Sequence, residues 1–178
     1  MKLLTKERVA SQSESKARAS TRDFCLKYGN EYGVNPSILL SVFIIETFYR
    51  PFWMRIVEYS VVLFGCVGCL LLKRPIKNYT IGKCQIGLAT ILNFYGGNYY
   101  QHSHNIKISS VSEIRQIFSI ISEENSIKIL AYRLQPITHK AMRIYPDLRK
   151  NRIRYIGEQF NGRYSYGMLL NEVFSQIA

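Results

Sequence analysis

The sequence predicts a mainly α-helical protein. Apolar residues recur at intervals of three and four along most of the 178 residues, which is the spacing that lines one face of a helix. Strict apolar and polar alternation, which marks a half-buried strand, is scarce. With 47% hydrophobic residues the chain can form a core, and we expect one compact domain over 31–178, preceded by a polar helical segment over 1–30.

The first two helices are predicted from residues that typically begin or end a helix. A polar helix is predicted over about 5–28, ending in the turn-rich YGNEYGVN. Asn35 and Pro36 are a typical N-cap and first helical residue, and they open a helix that should end at Arg50, before Pro51.

Pro51 can start the next helix, FWMRIVEYSVVLFG. Four of its apolar residues fall near one face: Phe52, Ile56, Leu63 and Val67. The apolar run at 60–72 is 13 residues long, short of the roughly 20 that cross a bilayer. We therefore expect a buried helix and no transmembrane segment.

The rest of the chain predicts further helices after a loop, KRPIKNYTIGK. CQIGLATILNFYGG indicates a short helix closed by glycines, and NYYQHSHNIKIS an irregular or briefly extended segment. Ser110 and Glu113 form a capping box for the helix VSEIRQIFSIIS. The remaining helices are expected at 122–135, 137–144, 146–159 and 163–177.

The charge is strongly basic, with 24 Lys and Arg against 12 Asp and Glu, a net charge of +12. Such a balance favours a polyanionic partner, which is a nucleic acid, an anionic membrane or the bacterial cell wall. Charge alone does not choose among these three.

The four cysteines are at 25, 66, 69 and 84. Cys66 and Cys69 form a C-x-x-C, but it lies in an apolar run without a second pair, so buried free thiols are favoured over zinc or redox chemistry. Disulfide bonds are an alternative, because an exported protein would enter an oxidising compartment.

One carboxylate, Glu46, lies inside the apolar stretch SVFIIETFYRP. It could pair with a neighbouring arginine such as Arg50 or Arg55. Alternatively, it is a general acid, because glycoside cleavage needs a carboxyl that stays protonated near neutral pH, and apolar neighbours disfavour the anion. The segment alone leaves the two interpretations equal.

Three motifs in order resolve this choice: NPSILLSVFIIET around Glu46, the stretch Gly82–Ile86 in YTIGKCQIG, and the turn Phe160–Asn161–Gly162 in EQFNGRYSYG. Together they resemble the lysozyme-like superfamily, in the branch of goose-type lysozymes and soluble lytic transglycosylases. The resemblance covers about 30–176. It implies a lysozyme-like helical catalytic domain with a substrate cleft, and Glu46 as the catalytic acid.

The sequence also departs from that family. The usual Ser after the acid is Thr47, the residues before the Gln are Lys83 and Cys84, and the usual turn Tyr is Phe160. An additional apolar helix separates the acid from the Gln. The resemblance therefore supports Glu46 as the catalytic acid more strongly than it supports any particular contact with the glycan.

A glycan presents flat apolar faces and hydroxyl edges, so its cleft needs aromatic rings with polar tips, amides and hydroxyls. The predicted substrate-binding residues are Thr47, Tyr79, Thr80, Gln85, Asn161, Tyr164 and Tyr166. With 13 tyrosines in the chain, several will instead belong to the core.

The mechanism depends on a second carboxylate. Hydrolysis uses a second carboxylate as base or nucleophile, whereas the transglycosylases that the chain resembles use one acid and let the substrate's own acetamido group attack. Glu58 is the only acidic residue between 47 and 112. We favour the single-acid mechanism, or a supporting role in which Glu58 orients the loop at Thr80. The alternative without function is a salt bridge between Glu58 and Arg55 or a neighbouring lysine.

The predicted function is thus a peptidoglycan-cleaving glycosidase, a lysozyme or lytic transglycosylase acting on the MurNAc-GlcNAc β-1,4 bond without a cofactor or metal. The N-terminus lacks the apolar core of a secretory signal peptide. We expect an antibacterial toxin or lysin that reaches the cell wall by another route, with an immunity protein as a possible partner, or one domain of a longer chain.

The alternative is a basic helical nucleic-acid-binding protein. Its features are two interleaved tyrosines, Tyr145 and Tyr155, among cations at Lys140, Arg143, Arg149, Lys150, Arg152 and Arg154. A membrane-active helical toxin is a third interpretation and depends only on 60–72. The pair of histidines in HSH, 102–104, lacks further ligands, and no nucleophile elbow or phosphate loop is present.

Overall fold

The computed structural model describes residues 19–49, 52–100 and 103–177, and it confirms that the chain is mainly helical. The predicted helix at 5–18, Arg50 and Pro51 lie outside this range. The helices are α1 Ala19–Tyr32, α2 Pro36–Tyr49, α3 Phe52–Leu72, α4 Leu88–Phe94, α5 Val111–Phe118, α6 Glu123–Ile144, α7 Arg149–Asn161 and α8 Tyr164–Ile177.

Four two-residue strands form two small antiparallel ladders. The strands are β1 Ile76–Lys77, β2 Thr80–Ile81, β3 Ile86–Gly87 and β4 Asn105–Ile106. β1 pairs with β4, with Ile76 opposite Ile106, and β2 pairs with β3, with Ile81 opposite Ile86. The sequence analysis anticipated the extended segment at 105–106 but placed the start of a helix at Cys84, where the chain instead turns into β3.

The described residues group into two compact units, where the sequence suggested one domain. The helical unit contains 19–49 and 130–177, and the hairpin unit contains 52–100 and 103–129. Helix α1 belongs to the same unit as α2. The predicted boundary at residue 30 stays a prediction.

In the helical unit, α2 packs against both α1 and α8. The predicted cap is confirmed, because the Asn35 side-chain oxygen accepts hydrogen bonds from the backbone N–H of Ser37 at 2.9 Å and of Ile38 at 3.3 Å. Helix α1 extends to Tyr32, four residues beyond the expected end at 28. It stops at Gly33, whose φ of 65° suits glycine.

Helices α7 and α8 pack closely against each other, and two glycines permit it. A Cβ on Gly157 would lie 2.7 Å from the Cα of Gly167, and a Cβ on Gly167 would lie 2.4 Å from the carbonyl oxygen of Arg154. Backbone atoms cannot move aside as a flexible side chain does. The small residues therefore set the distance between the two helices.

We expect Gly167→Ala to lower the free energy of unfolding by about 3 kcal/mol, because the added methyl overpacks against backbone. Thermal or denaturant unfolding measures the loss. Gly68→Ala is the matched control, since a Cβ there meets nothing within 4 Å, and a helical Gly→Ala change without a clash stabilises by about 0.5–1 kcal/mol. Equal effects of the two changes would contradict the close approach.

Helix α6 is continuous from Glu123 to Ile144 with Pro136 inside it, so the predicted break between 135 and 137 was wrong. Proline removes one backbone hydrogen bond. Pro136 is exposed, while Leu134, Thr138 and Ala141 on either side of it are buried. Packing of this buried face offsets the local cost.

In the hairpin unit, α3 packs through a narrow stripe of Val62, Cys66 and Cys69. The Cys69 sulfur accepts a hydrogen bond from the N–H of Ile108 at 3.0 Å. The expectation of a buried helix was wrong, since only 17% of the most apolar 18-residue stretch of α3 is buried. Ile56, Leu63 and Val67 lie exposed, on the side away from the stripe.

The predicted capping box of α5 is confirmed: the Ser110 hydroxyl accepts from the N–H of Glu113, and the Glu113 carboxylate accepts from the N–H of Ser110. Tyr99 donates to the same carboxylate at 2.5 Å. Burial, together with this contact, raises the pKa of Tyr99 to about 12. Burial alone would raise the pKa of Glu113, but the hydrogen bonds from Tyr99, Ser109 and Ser110 hold it below its ordinary value.

Candidate active site

Glu46 is a buried carboxyl, 6% exposed, near the C-terminal end of α2. The preceding residues Phe43, Ile44 and Ile45 are also buried. Helix α2 is apolar around its whole circumference and is buried within the helical unit. Helices that are apolar on all sides are usually buried. The burial of Glu46 thus follows from the burial of the helix that carries it.

The other predicted residues of the helical unit differ in exposure. Thr47 is half-buried and Asn161 is exposed at the end of α7. The chain turns at Gly162, with φ 76°, and this turn leads into α8, as the sequence predicted. Helix α8 packs against α2 and carries both predicted tyrosines.

Those two tyrosines have different surroundings. Tyr164 is exposed, and the guanidinium of Arg154 lies 5.0 Å from its ring centre and donates to its hydroxyl. Tyr166 is buried, with its ring 5.9 Å from that of Phe160. An exposed ring is suited to stacking on a sugar, whereas the burial of Tyr166 favours a packing role. Contact of either with substrate stays a prediction.

In the hairpin unit, Gly82–Gln85 is the turn between β2 and β3. Gly82 has φ 81° and Gln85 has φ 48°. Positive φ is uncommon for a residue with a side chain and costs about 1–3 kcal/mol unless the surroundings hold it. Ile81, Cys84 and Ile86 are fully buried around the turn, and they anchor it.

The Gln85 amide is held by three hydrogen bonds. Its oxygen accepts from the Thr80 hydroxyl at 3.0 Å, and its nitrogen donates to the Glu58 carboxylate and to the Gly82 carbonyl, both at 3.1 Å. Three of the predicted residues are therefore brought together: Glu58, Thr80 and Gln85. Because the amide is bonded at both ends, its orientation is determined.

Glu58 reaches this cluster from α3 and is half-buried. The sequence analysis placed it in a supporting role near Thr80. The structure joins the two through Gln85 instead of directly.

Tyr79 is exposed and borders a groove of about 380 Å³ beside the second half of α3. Its backbone positions the turn, since its carbonyl accepts from the N–H of Leu88 at 3.0 Å. A role of its ring in sugar binding stays a prediction.

Sequence analysis missed the residues that support the turn. Lys83 makes an ion pair with Glu123 at 2.5 Å. The Asn78 side chain donates to the Ser103 carbonyl at 3.2 Å and accepts from the N–H of Ala89 at 3.0 Å, which caps α4. These contacts join residues 11 to 40 positions apart, so no local pattern could have identified them.

The cysteines confirm the prediction of buried free thiols: Cys25, Cys66, Cys69 and Cys84 are all free and buried. Burial raises the pKa of Cys66 to about 11, which leaves its thiol protonated and unreactive at neutral pH. Within the described ranges, no three His, Cys, Asp or Glu side chains form a group that could hold a metal ion.

Comparison with known proteins adds no relative: the chain matches no family model, no curated protein and no solved structure.

Proposed function

We propose that this protein cleaves peptidoglycan glycan strands, with Glu46 as a single general acid. The observation that carries the proposal is the burial of Glu46, a residue that is 6% exposed on an apolar helix. A general acid must hold a proton that it passes to the leaving group, and a carboxyl buried on a helix is a candidate for that role.

The proposed reaction breaks the bond between C1 of MurNAc and the glycosidic oxygen. Glu46 gives its proton to that oxygen, which leaves as the hydroxyl of GlcNAc. As that bond breaks, the carbonyl oxygen of the acetamido group of the same MurNAc attacks C1. The C6 hydroxyl then displaces the acetamido oxygen from C1 and returns a proton to Glu46. No second carboxylate is needed for this route, and the product is an anhydro sugar, lighter by one water than the hydrolytic product.

The Gln85 cluster supports the proposal from the hairpin unit. Glu58 accepts from one end of the amide and the Thr80 hydroxyl donates to the other, so the side chain is preorganised for a polar ligand. A strained backbone at the same residue is also typical of functional turns. Gln85 and Thr80 are proposed as substrate contacts and Glu58 as the residue that positions Gln85.

Digestion of purified sacculi tests the proposed activity. Release of soluble muropeptides supports it, and intact sacculi after prolonged incubation would refute it.

Nucleic-acid binding is the second candidate, but several of its cations already have partners inside the protein. Arg152 donates to the Tyr145 carbonyl at 3.0 Å, Arg149 lies over the ring of Phe174, and Arg154 over that of Tyr164. The rings of Tyr145 and Tyr155 pack edge to face, 5.8 Å apart. Exposed cations remain at Lys140, Arg143 and Lys150. A salt-titrated binding assay with DNA and with sacculi separates the two candidates.

The location of the substrate predicts where the protein is toxic. We expect harmless expression in the bacterial cytoplasm and lysis when a signal peptide directs the protein to the periplasm, because glycan strands occur only there. Optical density after induction measures lysis, and periplasmic Glu46→Gln is the control, expected to be harmless. Equal toxicity in both compartments would point to nucleic acid.

A further inference from the structure

Helix α3 presents an apolar and uncharged face to solvent. Phe64 is 76% exposed and Leu71 is 75% exposed. The large apolar residues exposed along α3 are Trp53, Ile56, Val57, Val61, Leu63, Phe64, Val67, Leu71 and Leu72. Ser60 interrupts this face, but its hydroxyl donates to the Ile56 carbonyl at 2.9 Å. We call this set of nine residues the outer face.

The two charged residues of α3 lie on the opposite side. Val62, Cys66 and Cys69 mark the side that packs. At 100° per residue, Arg55 and Glu58 fall within about 40° of Val62. Glu58 contacts Gln85 there. The helix thus reverses the usual arrangement, in which charges face water and apolar residues face the protein.

The C-terminal end of α3 is cationic. Lys73 ends the helix with a φ of 56°, and Lys73, Arg74 and Lys77 are all exposed. Arg74 and Lys77 also border the 380 Å³ groove, whose helix side consists of Val61, Gly65, Gly68, Cys69 and Leu72. An apolar wall beside two cations complements an acyl chain and its anionic headgroup.

We propose that the hairpin unit docks on an anionic phospholipid bilayer, with α3 lying in the plane of the interface and its outer face among the acyl chains. The 20 residues of Trp53–Leu72 extend for about 30 Å, which offers a long apolar strip to the lipid. Trp53 lies at the N-terminal end of α3, and Lys73, Arg74 and Lys77 lie at its C-terminal end. Tryptophan and cationic side chains both favour the headgroup region of a bilayer.

The same length and composition would allow a helix to span a bilayer, but the contacts of α3 favour the in-plane position. The Cys69 sulfur accepts a hydrogen bond from the backbone N–H of Ile108, and a Cβ on Gly65 would lie 2.4 Å from the Ile76 side chain. A spanning helix would lose this packing and would carry Arg55 and Glu58 into the hydrocarbon. A second copy of the chain is a poorer occupant, because the chain carries a net charge of +12, which opposes self-association.

Flotation of the full chain with vesicles tests the proposal, and its result does not depend on wall cleavage. We expect binding to vesicles of phosphatidylglycerol mixed with phosphatidylcholine, and weaker binding to phosphatidylcholine alone. Phe64→Ser with Leu71→Ser should weaken binding about a hundredfold, because two exposed apolar anchors are removed. Arg74→Gln with Lys77→Gln should weaken it about tenfold or more on anionic vesicles only.

Leu26→Ser is the matched control, since Leu26 is an exposed apolar residue of α1 in the other unit, and it should bind like the wild type. Because the substituted residues are exposed, circular dichroism should not change. The proposal would be overturned if the Phe64→Ser with Leu71→Ser protein bound vesicles as tightly as the wild type. It would also be overturned if the wild type bound neutral and anionic vesicles equally. A wild-type dimer that Phe64→Ser converts to monomer without any flotation would overturn it too, because that result would assign the face to a second copy.

Discussion

Replacing Glu46 by Gln should abolish the clearing of purified peptidoglycan. The amide keeps the shape of the carboxyl but cannot give up a proton, and general-acid catalysis contributes about 100-fold to 10,000-fold to such reactions. Because Glu46 is buried at 6% exposure, an isosteric substitution is needed to separate chemistry from packing. Turbidity loss of a sacculus suspension measures the rate.

Glu31→Gln is the control, since it makes the same chemical change at an exposed site in the same unit. It should clear sacculi at the wild-type rate. Unchanged helical circular dichroism in Glu46→Gln shows that the fold is retained. A folded Glu46→Gln protein with wild-type clearing would refute the role of this acid.

The second large effect concerns Glu58, where two substitutions separate a positioning role from a catalytic one. In Glu58→Gln the amide oxygen can still accept the hydrogen bond that Gln85 makes at 3.1 Å, so we expect only a few-fold loss of rate. In Glu58→Ala that acceptor is lost and the Gln85 amide is no longer held at this end. We expect a loss of about tenfold to a hundredfold.

Mass spectrometry of the products gives the complementary result. If no base activates water, anhydro-muropeptides should dominate in the wild type and in Glu58→Gln. A Gln substitution as damaging as Ala, together with reducing-end muramic acid throughout, would contradict the single-acid mechanism and would make Glu58 the base or nucleophile.

Local signals in the sequence were sufficient for several elements. The Asn35 cap, the Ser110 and Glu113 capping box and the turn at Gly162 all form where predicted. Each depends on hydrogen bonds or backbone angles within a few residues, which the nearby sequence specifies.

Elements that depend on distant partners were predicted less well. Helix α6 passes through Pro136 because residues on both sides of it are buried against other elements. Cys84–Gly87, expected as the start of a helix, forms a turn and strand because β3 pairs with β2. In both places tertiary packing outweighs local propensity.

The candidate site divides in the same way. Glu46 stood out in the sequence because an unpaired carboxylate is costly to bury, so a glutamate within an apolar helix is expected to be either paired or functional. The hydrogen bond from Gln85 to Glu58 joins residues 27 positions apart. Spacing alone could not identify Glu58 as the partner of Gln85.

By itself, the sequence determined the helical class, the positions of the caps and the single carboxylate of α2, because helical periodicity and capping are local properties of a chain. Only the tertiary structure decided which face of α3 packs and which is exposed. The sequence pattern favoured the face of Ile56, Leu63 and Val67, which the structure exposes. Val62, Cys66 and Cys69 on another side of the helix are the residues that pack. The choice follows from where Ile76 and Ile108 meet Gly65 and Cys69, and such long-range contacts arise only when the chain folds.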